Sequence, residues 1–238
     1  MRIQEILDLP RSSPISSDPD QDPEFTPDPT ITTVGGQRLG QGAQARVVTL
    51  APDEQRVSKQ ILQRDPAYVR FVGSILALQG RGIYNPWLPR IDHDPEAPAG
   101  RRGRYRLEQL FPLDSGAVSD AQVWAMLTHC LSERDPIMRL RTDGEYRLGK
   151  FLGLCENIIL GVESLERVRR DPQLVRALAL LRSVSASNSN FHLDLHLGNI
   201  MMRLTPLHLV FVDPVQYKRL NRFSLLDQLI QAWRKFAG

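Results

Sequence analysis

Residues 191–202 read FHLDLHLGNIMM, and shortly after them VFVDPV places a further aspartate behind an apolar run. Asp194 and Asn199 are five apart, and Asp213 ends what reads as a buried strand. A loop aspartate, an asparagine five residues on and a second aspartate after a strand suit metal-assisted phosphoryl transfer. One carboxylate orients the attacking hydroxyl, while the amide oxygen and the other carboxylate hold Mg²⁺ on nucleotide phosphates. Upstream, LGQGAQARV (39–47) sets Gly40 and Gly42 just ahead of a strand, where backbone can approach a phosphate closely. The next strand carries Lys59, one of only four lysines, with Lys150, Lys218 and Lys235, in a chain whose basic residues are mostly arginine. Its ammonium could reach phosphates lying under the glycine turn.

Each signal has a plainer explanation. A glycine turn opens many hairpins, a strand lysine usually faces solvent, and an Asp–Asn pair often caps a turn. Coincidence explains any one of them better than it explains all of them in this order. His192, Asp194 and His196 alternate, and on a strand they would share a face as zinc ligands do. No fourth ligand cluster lies near them in the sequence, which sets zinc hydrolysis well behind.

These groups need elements to hold them. ARVVTLA (45–51) and QRVSKQIL (55–62) are β-branched runs separated by the turn residues PDE, which predicts a hairpin. Val69, Val72, Ile75, Leu76 and Leu78 predict a helix over 66–79. NPWLPRI (85–91) is a proline-punctuated connection into a strand, and GRYRLEQLF (103–111) reads as another strand. From Ser119 the pattern turns helical: a Ser/Asp cap opens SDAQVWAMLTHCLSER, followed by amphipathic stretches over 151–168 and 172–184. Short strands are expected at His192–Leu193 with Ile200–Met202 and at 207–213, then a last helix over 224–236. Residues 10–30 are rich in Pro, Ser and Asp and too poor in aliphatics to offset their ordering entropy.

The residues resemble the protein kinase-like fold, which includes the aminoglycoside and choline phosphotransferases, over roughly 34–215. Gly40, Gln41, Gly42, Ala43 and Val47 are similar to the kinase glycine-rich loop, with Ala45 in place of its third glycine. Lys59 resembles the strand lysine on the α/β-phosphates. Glu108 and Leu110 resemble the hinge, whose backbone groups meet adenine. Asp194 resembles the catalytic aspartate, Asn199 the metal-binding asparagine and Asp213 the aspartate of the DFG motif. The DLHxGN style, with His196 where protein kinases usually have lysine, and DPV for DFG, resemble small-molecule phosphotransferases and the short serine/threonine kinases of some bacteriophages.

Composition marks off a flexible acidic, Ser/Pro-rich leader (1–30), and the resemblance implies an α+β, two-lobed fold after it: a small antiparallel β lobe with one helix (31–112) and a truncated, mainly helical lobe carrying the catalytic loop (113–238). It implies catalysis by Asp194, Lys59, Asn199 and Asp213, with ATP and Mg²⁺ and a protein hydroxyl as acceptor, in host proteins if the chain is phage-encoded. The departures are specific. The helix over 66–79 has no glutamate for Lys59, and Asp65 is the only acid between Lys59 and Asp92. Only 25 residues follow Asp213, too few for a long activation segment. A small-molecule kinase and a non-catalytic pseudokinase are the rival readings.

Charge separates the acceptors weakly. Arginines cluster at 101–106, 139–141 and 167–170, and acids such as Asp135, Glu163 and Glu166 lie among them rather than in the acidic patch a polycationic aminoglycoside calls for. The formal charge of +3 does not indicate a nucleic-acid partner. No apolar run approaches a membrane span, and the acids of MRIQEILDLP argue against a secretory signal. Two cysteines make no disulfide framework, so a reducing cytoplasmic setting is the expectation.

Overall fold

A computed structural model describes residues 38–41, 45–49, 56–61, 65–93, 104–113 and 119–218. The leader, the glycine-turn positions Gly42 and Ala43, the turn at 52–54, Arg101 and Arg102, and the helix expected over 224–236 lie outside the described residues.

The architecture is α+β. Five antiparallel strands, β1 (Arg38–Gln41), β2 (Ala45–Thr49), β3 (Arg56–Ile61), β4 (Ile91–His93) and β5 (Arg104–Glu108), form one sheet in the order β1-β2-β3-β5-β4. Lys59 sits at its centre, paired with Val47 on β2 and Tyr105 on β5. Val47 in turn pairs with Gly40, where the β1 register shifts. Gly40, Val47, Lys59 and Tyr105 therefore make one row across four strands. A shift beside a strand glycine fits the use of glycine at bulges.

Helix α1 (Pro66–Gly80) crosses from β3 to β4. Asp65 caps it, accepting the Tyr68 N–H at 3.0 Å, and Pro66 occupies the first turn, where its missing N–H is harmless. The helix buries Ala67, Tyr68, Phe71, Val72 and Ile75, the single face expected of a 3.6-residue period.

The helical part comprises α2 (Asp120–Cys130), α3 (Gly144–Leu160) and α4 (Pro172–Ala186). A reciprocal Ser119–Gln122 capping box starts α2, Asp143 caps α3 and Asp171 caps α4. The helix expected over 151–168 is placed differently. It begins at Gly144 and stops at Gly161, whose φ of 79° is left-handed, and only a 3-10 turn covers Leu165–Val168. Leu127, Leu131, Phe151, Leu152, Leu174, Leu178 and Leu181 fill the core between these helices, and both cysteines, Cys130 and Cys155, are buried there with free thiols. No helix among the described residues is long and apolar enough to cross a membrane.

Two small sheets are also present among the described residues: β6 (Phe111–Pro112), β8 (Ile200–Leu204) and β9 (Leu207–Phe211) in the order β6-β8-β9, and β7 (Phe191–Leu193) with β10 (Val215–Tyr217). Two expectations change here. The strand expected over 103–111 breaks after Glu108, and Phe111–Pro112 joins β8 in another sheet. His192–Leu193 and Ile200–Met202 belong to separate sheets.

The connection at 85–91 joins sheet to helices. Asn85 donates to the Gln173 carbonyl at 2.8 Å, and the Trp87 indole N–H to Asp171 at 2.8 Å. The Trp87 ring packs against Phe151 and stacks on Phe211. Buried Arg203 from β8 reaches the Pro86 and Leu88 carbonyls and makes a forked pair with Glu108 at the end of β5.

Candidate active site

Lys59 is nearly enclosed, at 8% exposure, although strand lysines usually reach water. Its ammonium lies 3.0 Å from Asp213 Oδ2, 154 residues along the chain, and 3.7 Å from the centre of the Tyr68 ring. Asp213 is reached because β9 ends at Phe211 and the chain turns through 212–214 before entering β10.

The same turn holds the loop that carries Asp194 and Asn199. The Asp194 N–H donates to the Pro214 carbonyl at 2.9 Å, and the Val212 N–H to the Asn199 carbonyl at 3.0 Å. Two backbone hydrogen bonds thus set the loop and the Asp213 turn side by side, beyond the β7–β10 ribbon. Within the loop, the Asn199 amide donates to the Asp194 carbonyl at 2.9 Å and to Asp194 Oδ2 at 3.0 Å. Both partners are acceptors, which fixes which way the amide faces and turns its oxygen away from Asp194. His196 accepts the Gly198 N–H on Nδ1 at 3.1 Å, so in the neutral ring the proton sits on Nε2, 3.6 Å from Asp194 Oδ1.

Asp65 is a second acid near the lysine and, unlike Asp213, it is buried. Burial pushes its pKa up, and the Asp213 charge adds to this, while the Tyr68 N–H and the Lys59 charge act the other way. Burial likewise drives the Tyr68 hydroxyl well above the ordinary tyrosine range, with the Asp213 charge assisting.

The donors suit a hard divalent cation. The Asn199 amide oxygen and the Asp213 carboxylate are oxygen ligands, and Mg²⁺ is typically held by one or two such groups together with substrate phosphates. Asp213 is partly exposed and presents a second oxygen besides the one bound to Lys59. The zinc arrangement does not form. His192 lies on β7, which ends at Leu193, so Asp194 and His196 belong to the following loop. Among the described residues no three His, Cys, Asp or Glu side chains gather as a metal site.

Of the residues singled out from the sequence, Lys59, Asp194, Asn199 and Asp213 are linked by these short contacts. Val47 lies on β2, which adjoins the lysine strand, and Gly40 and Gln41 lie on β1, one strand further out. Glu108 ends β5, with Leu110 two residues on. The Glu108 N–H already donates to the Arg90 carbonyl at 3.0 Å and is not open to a ligand, and its carboxylate is held by Arg203. Sequence reasoning passed over Tyr68, whose signal is an aromatic in the first turn of the helix after the lysine strand. It also passed over Pro214, which acts through a carbonyl that no residue type reveals.

No family model matches the chain, and no curated protein matches it.

Proposed function

We propose that the chain is an ATP- and Mg²⁺-dependent phosphotransferase of two-lobed protein kinase-like architecture, acting as a compact serine/threonine protein kinase. The observation that carries this reading is the 3.0 Å contact between Lys59 and Asp213, which brings the cation of the sheet to the acids of the β7–β10 region. The sheet order, with one helix between β3 and β4, suits the same architecture.

In this reading Lys59 and the backbone around Gly40–Ala43 hold the triphosphate. Asn199 and Asp213 hold Mg²⁺, which when bound neutralises charge on the phosphates. Asp194, fixed by Asn199 and by the Pro214 carbonyl, accepts the proton of the acceptor hydroxyl. That oxygen bonds to the γ-phosphorus as the bond to the β–γ bridging oxygen breaks, and ADP leaves with the electron pair. The residues thus contribute positioning and charge stabilisation.

Side-chain pairing favours a protein acceptor over a polycationic small molecule. Asp135 and Glu163 are paired with Arg167, and Glu166 with Arg169. Acids already neutralised by arginine make a poor seat for an aminoglycoside. One feature favours the pseudokinase reading: no acid of α1 faces Lys59, since the helix contains none.

The test uses γ-labelled ATP with a cell lysate. Asp194→Ala is expected to abolish transfer while nucleotide binding persists, and Asp213→Ala to lose Mg²⁺-dependent nucleotide binding too. Wild-type turnover by Asp194→Ala defeats the assignment. Label on metabolites and never on protein moves the acceptor to a small molecule. Mg·ATP binding without turnover leaves the pseudokinase.

A further inference from the structure

We propose that the ring of Tyr68 is the positioning group for Lys59, holding the ammonium by its π face so that the full charge stays available to an anionic phosphate. The catalytic part of this inference rests on the phosphotransferase reading; the contact itself does not.

Three observations carry it. The ammonium is 3.7 Å from the ring centre, well inside the roughly 6 Å range of a cation–π contact. The ring is rigid: Tyr68 is 1% exposed, and it packs against Phe71 and edge-on against Tyr105, each with centroids 6.2 Å away. The other close partner, Asp213, is much less enclosed, with 39% of its side chain exposed. An exposed carboxylate is free to turn toward a metal ion, whereas a packed ring stays in place.

The chemistry of the two partners differs as well. A carboxylate fixes an ammonium by cancelling its charge. A ring fixes it through a quadrupole and carries no net charge, so the cation keeps its pull on phosphate oxygens. The hydroxyl takes no part: it is buried with no hydrogen-bond partner among the described residues. The ring alone is therefore required, and Tyr68→Phe satisfies the same role while removing an unpaired polar group.

The deciding experiment observes the lysine ε-methylene groups of the full chain by ¹H–¹³C NMR after lysine-selective ¹³C labelling. Four lysines give four correlations, and Lys59→Arg assigns the one of interest. A methylene above a ring face is shielded, so the Lys59 signal is expected well upfield of that of exposed Lys218. Tyr68→Leu should return it to the common position and raise the Kd and KM for Mg·ATP about tenfold, equivalent to ~1.4 kcal/mol, with a smaller change in kcat. Tyr68→Phe should restore both signal and affinity. A Lys59 signal at the common position in the wild-type chain overturns the proposal without any variant having to fold. So does a Tyr68→Phe chain as impaired as Tyr68→Leu. A shielded signal in a chain that binds no Mg·ATP retires the phosphotransferase reading and leaves the ring contact standing. An unshielded signal in a chain that transfers phosphate does the reverse.

Discussion

Two carboxylates act on the Lys59 ammonium, and they are held differently. Asp213 is partly exposed and touches it, while Asp65 is buried and spends an oxygen on the start of α1. Burial raises the Asp65 pKa in the folded chain above the model-peptide 3.8. The folded state therefore binds this proton more tightly than the unfolded state. The resulting stability is fully present below 3.8 and is lost as the pH rises through the folded pKa. Asparagine caps a helix about as well as aspartate and does not titrate. Asp65→Asn should consequently gain stability relative to wild type as the pH rises from below 3.8 to neutrality. Paired thermal melts across that range check this, since the other acids cancel in the difference. A constant difference would mean that Asp65 titrates alike in both states. The residue scale is also where the sequence was most readable: polar types at fixed spacing beside apolar strands single out Lys59, Asp194, Asn199 and Asp213, and the structure brings these four together. Tyr68 does not stand out, because an aromatic on the buried face of a helix is the ordinary composition of a core.

At the level of elements, the stops explain more than the periodicities do. Gly161 ends α3 in a left-handed conformation, its N–H donating to the Ile158 carbonyl, and a β-carbon there would lie 3.3 Å from the Arg182 side chain. Gly161→Ala should destabilise the chain by roughly 1–2 kcal/mol, the ordinary penalty for an L-residue in that region. A lowered urea midpoint with unchanged slope is the expected record. The starts of α1, α2 and α4 were legible because proline or a Ser/Asp cap announces each of them. The start of α3 was hidden because Gly144, Gly149 and Gly153 dilute its apolar pattern, although Asp143 caps it as its counterparts do. Strand partnership was less readable still. Nothing in Gln109 and Leu110 reveals that the chain changes sheets there, and nothing in His192 or Ile200 reveals which neighbours they take. Pairing is decided by distant residues, so local pattern cannot report it.

For the molecule as a whole, the forked pair between Arg203 and Glu108 spans 95 residues and ties the β5 end of the large sheet to β8. Arg203 also closes the carbonyls of Pro86 and Leu88, so a single guanidinium satisfies groups from two segments, the 85–91 connection and the end of β5. Arg203→Met leaves the Glu108 charge largely enclosed without its partner and should cost about 3–5 kcal/mol. Arg203→Met with Glu108→Met should recover much of that loss, because no stranded charge remains. Denaturant titrations of the single and double variants measure the coupling, and strict additivity would show the two residues to be independent. The buried thiols have a separate use. Cys130 and Cys155 lie in the helical core, and burial holds both thiols far above the ordinary cysteine range, the charge of Asp171 adding to this at Cys130. Exchange with an aromatic disulfide reagent must therefore wait for the core to open. Followed over time under native conditions, the release of chromophore becomes a clock for how often the helices part, wound without any dye or engineered label.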